Sequence, residues 1–298
     1  MFLWVDANKT QLFNYLAQCV ITAETEKLIV TTQGPTVLSD HPVDQSGLSP
    51  CTHEEADTRI VVHLADAAQL TKRVMIRTVD TDVVVLAVAA VTRHPGLQVW
   101  IAMGSGKDFR YIAARDIACA MGADKARCLP LFYGVTGCDT VCSFNGIGKK
   151  KAWDVWHTFT EVTETFLRLS TPPCDLTVID RAVLGRFGVL MYHKTNNCSD
   201  MNSARWYLFT KMGCQIDHTP PTSEALLQHC KGAVYQGGHI WGQADNPTPT
   251  LPDPSGSLWV ETGSFSGQIS LRHLQHVRSC SCVPARRAVE ANAATKLD

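Results

Sequence analysis

The chain has 298 residues, 45% of them hydrophobic, enough to fill one large or two modest cores, and this excludes a disordered polymer. Its 27 basic and 28 acidic residues leave a formal net charge of −1, so no overall field draws in polyanions and any nucleic-acid contact must come from local patches. The opening MFLWVDANKT has no basic n-region and too short an apolar run for a signal peptide or a membrane span, and the twelve cysteines are scattered through apolar helical stretches at positions such as Cys19, Cys119 and Cys230. Together these predict an intracellular, reducing location in which most thiols are buried and free.

Residues 6–20 predict an amphipathic helix, with Leu12, Phe13, Leu16 and Cys19/Val20 at helical spacing and Asp6 as its cap; Phe2 to Asp6 also reads as a strand ending in an acid. Lys27 to Thr32 predicts a strand, and the Pro/Gly/Ser/Asp-rich stretch from Gln33 to Pro50 an exposed loop. Residues 54–70 place Ile60, Val61, Leu64 and Ala68 on one helical face, with acids in the first turn. Val74 to Val79 reads as a buried parallel strand ended by Asp80-Thr81-Asp82, Val83 to Val91 as helix or strand, and Leu97 to Met103 and Phe109 to Ile112 as further strands. This alternation over residues 27–135 predicts an α/β, three-layer core with a mostly parallel sheet. From residue 148 the period is helical, over 148–157, 159–170, 176–191, 200–212 and 222–235, punctuated by Pro172-Pro173 and Pro220-Pro221: an all-α extension. A tail rich in Pro, Gly and Ser follows, with slight strand character at Leu258 to Glu261. The domain boundaries read 1–50, 51–147, 148–237 and 238–298.

Carboxylates gathered at one place repel one another unless a cation offsets them, so acids recurring beside apolar strands point to Mg²⁺ or Mn²⁺. Asp80 and Asp82, two apart at a strand end, can face one ion; an Asp-Thr-Asp turn can equally cap the next helix. Glu55 and Asp57 lie at a helix start, where Glu54 and Asp57 also stand one turn apart, and the helix dipole alone accounts for such acids. Asp139 sits in Thr136-Gly137-Cys138-Asp139-Thr140 between two apolar segments. Gly146-Ile147-Gly148 followed by Lys149, Lys150 and Lys151 permits a turn whose bare N–H groups approach a phosphate while the lysines supply charge; a solvated lysine face is the other reading.

In this order the residues resemble the flap-endonuclease/XPG branch of the PIN-like nucleases, over about residues 51–156. In that family an E-x-[ED] pair, a strand-end D-x-D and a later G-x-D bind two Mg²⁺ ions, and a helix-turn-helix with G-I-G-x-K holds the DNA backbone. The resemblance implies that Glu55, Asp57, Asp80, Asp82 and Asp139 are metal ligands and catalytic, and that Gly146, Ile147, Gly148 and Lys149 to Lys151 bind nucleic acid, DNA or RNA. The strings HEEADTRI, RTVDTDVVVLAV, YGVTGCDT and GIGKKKAW are also similar to those of a group of animal proteins, mobile-element derivatives among them, that carry this domain without an assigned activity. The implied fold is a three-layer PIN-like core followed by the helical extension with its helix-turn-helix clamp, and the implied reaction is metal-dependent phosphodiester hydrolysis. The family's earlier aspartates have no counterpart among Asp6, Asp40 and Asp44, which implies an N-terminally incomplete domain, a sheet edge open to a protein partner, and a depleted site. The alternative is a catalytically degenerate module that binds nucleic acid or protein.

Other patterns carry less. His273, His276, Cys280 and Cys282 offer four zinc-type ligands in a tight, polar tail. Cys138 and Cys142 lack a CxxC spacing, Gly104-Ser105-Gly106-Lys107 reads as a hairpin turn rather than a phosphate loop, and Trp153 and Trp156 read as core, with base stacking the alternative.

Overall fold

The computed structural model describes residues 4–253. The expected strand at Leu258 to Glu261 and the His273 to Cys282 group lie outside them. The chain is mixed α/β and divides into two compact units. The first runs to Pro130 and takes back Ser170–Cys174 and Gly238–Pro252; the second holds Leu131–Leu169 and Asp175–Gly237.

The first unit opens with helix α1 (Asp6–Ile21), which follows Val5 as its capping residue, not Asp6. Strands β1 (Val30–Gln33) and β2 (Thr36–Ser39) then form an antiparallel hairpin on which α1 packs. The expected loop thus contains a strand: Gly34 adopts φ +56° at the turn, and Val37 is drawn into a small core with Leu48, Cys51 and Val62. Helix α2 (Ala56–Leu70) buries Thr58, Val61, Val62 and Leu64. Strand β3 (Arg73–Thr78), helix α3 (Thr81–Ala90), strand β4 (Gln98–Met103), strand β5 (Arg110–Ala113) and helix α4 (Ala114–Met121) follow.

The sheet order is β3-β4-β5, with β3 and β4 parallel and β4 and β5 antiparallel. A mostly parallel sheet is therefore reduced to one parallel pair, because the link from Met103 to Arg110 is too short for a crossover and closes as a hairpin through Gly104, as the glycine pattern there suggests. The ambiguous run at Val83 to Val91 is helix; its even apolarity reflects burial of nearly every residue from Asp82 to Ala90. Helices α2 and α4 pack on β3 and β4 respectively, and α3 packs on both helices. One face of the sheet, with Ile76, Val99, Ile101 and Met103, is buried, whereas Met75, Trp100 and Tyr111 on the other are exposed. The outer edge of β3 pairs with no strand among the described residues. Arg115 ties the base of the layer together by donating to the carbonyls of Val91, His94 and Leu97.

Helix α5 (Ala123–Val135) passes from the first unit to the second, with Pro130, which has no N–H for the helix ladder, immediately before the division. The second unit is all helical: α6 (Lys149–Thr158), α7 (Val162–Leu169), α8 (Val178–Tyr192), α9 (Met201–Thr210) and α10 (Ser223–Val234) match the period read from sequence. Its core is a chain of aromatic contacts, Phe132 stacked on Trp156 at 4.6 Å, Trp156 edge-on to Phe166 at 5.3 Å, and Phe166 edge-on to Phe187 at 5.6 Å. Trp156 is fully buried, and its indole N–H donates to Thr163 Oγ1 at 2.9 Å. Thr177 and Asp180 form a reciprocal cap at the start of α8. Burial opposes ionisation of Asp180, but hydrogen bonds from Arg168 and Thr177 outweigh it and hold its carboxyl below the ordinary value. No helix among the described residues is long and apolar enough to cross a membrane.

Candidate metal centre

Strand β3 delivers its last residues to a tight turn. The backbone N–H of Asp80 donates to Thr78 Oγ1 at 3.0 Å, which fixes the exit from the strand. Asp80 itself stays extended, at φ −96° and ψ 134°, and its Oδ1 accepts the N–H of Asp82 at 2.8 Å, making Asp80 the N-cap of α3. Asp82 falls in the first helical turn and is buried. Strand geometry thus does not persist through the Asp-Thr-Asp pair.

The cap and the ligand reading prove compatible. Asp57 occupies the first turn of α2, and one carboxylate oxygen from each of Asp57, Asp80 and Asp82 lies within 4.8 Å of the others. Two helix starts, α2 and α3, therefore bring their acids to one place at the carboxyl edge of the β3-β4 pair, where the dipoles of both helices favour negative charge. Any three points so spaced have a common point within about 2.8 Å of each, close to the 2.0–2.6 Å of Mg²⁺ and Ca²⁺ bonds to oxygen. Three hard oxygen donors, two half-buried and one buried, fit a divalent cation that keeps water on its remaining positions.

Glu55 stands beside this group without joining it. It is the residue before α2, and its Oε2 accepts the indole N–H of Trp241 at 3.1 Å. The returning segment Gly238–Pro252 makes further contacts here: His53 Nε2 lies 2.6 Å from the carbonyl of Asn246, so it carries the proton and donates, and Thr52 N–H donates to Pro247 at 2.9 Å. The approach is close, since a Cβ added to Gly242 in the same segment would lie 2.4 Å from the carbonyl of Ser170. Trp241 and His53 escaped sequence reasoning because nothing local marks a partner nearly two hundred positions away.

Asp139 belongs to the second unit, where it is exposed in the turn after α5. It caps no helix; the turn is closed by Cys138 N–H donating to Val141 at 2.9 Å, and Gly137 before it adopts φ +104°. Gly146 takes φ +69° and Gly148 is the extended residue before α6, while Ile147 is buried between them. The three lysines differ. The ammonium of Lys149 donates to the carbonyls of Tyr133 and Gly137 and to Thr136 Oγ1, and lies 3.5 Å over the Tyr133 ring, capping the C-terminus of α5. Lys150 is exposed and Lys151 half-buried.

The cysteines divide by place. Cys51, Cys128, Cys174 and Cys230 are buried thiols, whereas Cys19 and Cys119 are exposed, because each lies on the outer side of a surface helix. Burial pushes the thiols of Cys128 and Cys230 up to about 12, which makes them inert as nucleophiles at neutral pH. Cys138 lies 3.3 Å from Thr140 Oγ1 and not against Cys142 in any disulfide. Cys174 and His239, unremarked in the sequence, meet at 3.3 Å.

Compared with models of protein families, with curated proteins and with solved structures, the chain matches none.

Proposed function

We propose that this chain is a PIN-like, flap-endonuclease-like module that holds Mg²⁺ or Mn²⁺ at Asp57, Asp80 and Asp82 and uses it to hydrolyse phosphodiesters of DNA or RNA. The observation that carries the reading is the convergence of these three carboxylates from two separate helix starts at the end of one parallel strand. Of the three-layer PIN-like core expected from the sequence, the reading needs only two layers, the β3-β4-β5 sheet and the helices α2, α3 and α4 on one of its faces.

Asp80, the cap, is fixed by two hydrogen bonds and is the natural central ligand, flanked by Asp57 and Asp82. Asp57, Asp80 and Asp82 would hold the divalent ion, which would supply a lowered pKa for a bound water and positive charge to offset the departing oxygen. Asp57, Asp80 and Asp82 orient that ion from one side, and buried Asp82 keeps part of the site dry. In the two-ion form Glu55 would have to release Trp241 and join the group. Gly146 to Lys151 would hold the backbone, with Lys150 as the exposed charge.

A second reading, binding without cleavage, is favoured by the Glu55–Trp241 hydrogen bond, which leaves three acids in the group. Titration of the protein with Mn²⁺, followed by the loss of free-ion EPR signal, separates the possibilities when run beside cleavage of end-labelled single-stranded and flapped substrates. Mn²⁺ uptake and cleavage that both vanish in Asp80→Asn support the nuclease. Uptake without cleavage supports the binding module, and no uptake by folded wild-type protein sinks the nuclease and leaves a module that binds nucleic acid or protein without metal.

A further inference from the structure

One face of the β3-β4-β5 sheet, which no described element covers, is unlike an ordinary solvated face. Residues in register alternate to the same side, so Arg73, Met75 and Arg77 of β3 stand beside Trp100 of β4 and Tyr111 of β5. Met75 is 66% exposed, Tyr111 60% and Trp100 45%. Arg73, Met75, Trp100 and Tyr111, with Val74, line a concavity of about 430 Å³. Phe109 extends the row, edge-on to Tyr111 at 5.1 Å, and the guanidinium of Arg77 lies 5.3 Å from the Phe109 ring centre. The three strands carry arginines and no carboxylate.

Flat π-surfaces open to solvent, flanked by guanidinium groups and free of acids, match the two needs of an unpaired nucleic-acid strand, stacking for its bases and charge for its phosphates. A duplex, whose bases are already stacked, gains nothing from the rings. We propose that this face binds single-stranded nucleic acid, with bases stacking on Trp100 and Tyr111 and phosphates pairing with Arg73 and Arg77. The proposal deepens the nuclease reading, on which it rests for its purpose. β3 runs from the platform directly into Asp80, three residues beyond Arg77, or about 10 Å at strand rise, so a strand lying along β3 leads toward the acidic group.

The test measures fluorescence anisotropy of short labelled oligothymidylate and oligouridylate with the full chain, in EDTA so that metal binding plays no part. Wild-type protein binds, and unlabelled single strands displace the probe far better than the matching duplex does. Trp100→Ala and Tyr111→Ala each weaken binding roughly 5- to 100-fold, the range expected for one lost stack, while Trp100→Phe retains most of it. Arg73→Ala makes the slope of log affinity against log salt shallower by about 0.7. Mn²⁺ uptake by wild-type protein is measured separately, so failure of the metal site and failure of the platform are read apart. Both ring positions are exposed, and unchanged urea midpoints verify that the variants fold. Equal competition by duplex, binding unaffected by Trp100→Ala, or no binding by wild type overturns the proposal. Self-association that Trp100→Ala abolishes, without probe binding, also overturns it and assigns the face to a second copy of the chain.

Discussion

Replacing Asp80 by Asn should stabilise the protein without metal and destabilise it with metal. Oxygens of Asp57, Asp80 and Asp82 lie within 4.8 Å of one another. At that separation a like-charge pair costs about 1 kcal/mol in a water-like medium and about 3 kcal/mol at an effective dielectric constant of 20. Asp80→Asn removes two of the three pairs, and Asn serves as an N-cap as well as Asp does, so the bond to Asp82 N–H survives. With local donors offsetting part of the repulsion, the expected gain in EDTA is about 1–2 kcal/mol. Asp80→Ala relieves the same repulsion but loses the cap, about 1 kcal/mol, and should fall near wild type. Mn²⁺ at a hundred times its dissociation constant adds about 2.7 kcal/mol to wild type and little to either variant, reversing the order. Urea unfolding of the three proteins followed by far-ultraviolet circular dichroism, in EDTA and in Mn²⁺, reads all six midpoints. A wild-type midpoint that ignores Mn²⁺, together with Asp80→Asn as unstable as Asp80→Ala in EDTA, would refute the reasoning.

Three further expectations concern the rest of the fold. Gly137→Ala forces φ +104° on a residue with a Cβ, which would sit 2.7 Å from Ser143 Cα; a loss of at least about 2 kcal/mol is expected in the urea midpoint. Lys149→Met keeps the stem but removes the donor to two carbonyls and a hydroxyl, costing about 1–3 kcal/mol, whereas Lys150→Ala should stay within about 0.5 kcal/mol. Burial holds His63 and His229 below the ordinary 6.5, helped at His63 by Arg59 and opposed at His229 by the Val135 carbonyl. The unfolded chain therefore takes up protons before the folded one, so stability falls as pH drops from 6.5 toward the folded values. Midpoints measured above and below pH 6.5 should show this decline, and the double substitution His63→Gln/His229→Gln should flatten it.

Legibility in the sequence followed the range of the interactions involved. Helices of the second unit were readable because each is specified by its own apolar period and caps, as at Thr177-Asp180. β2 was not readable: its four residues lie between prolines and glycines, and only the packing of Val37 on Leu48 and Val62 makes them a strand. The Val83 to Val91 run could not be resolved by period because a segment buried on all sides has none. At the candidate site, local spacing offers Asp80 and Asp82 as a ligand pair or a cap and Asp57 as a first-turn acid, and the family resemblance is what joins the three. Their sequence could not say that Glu55 turns to Trp241, nor that Lys149 turns to the end of α5, since both depend on partners set by tertiary structure.

Asp80 shows why the bland and functional readings of an acidic turn need not compete. A capping aspartate is held by its own backbone, with one oxygen accepting an N–H and a carboxylate's further acceptor capacity remaining. Such a residue has already lost the rotamer freedom that metal binding would otherwise have to remove, and the same helix start supplies a second acid two residues on, at Asp82. What turns a cap into a candidate ligand is a second helix start aimed at the same place, here that of α2 with Asp57. The parallel β3-β4 pair accounts for that convergence, because β3 lies between α2 and α3 in the chain and ends where α3 begins, while α2 packs back along it. Disrupting the α2 start while leaving Asp80 capped, as in Asp57→Ala, should therefore abolish ion binding with α3 intact by amide hydrogen exchange; loss of α3 protection in that variant would show that the acids serve the fold rather than an ion.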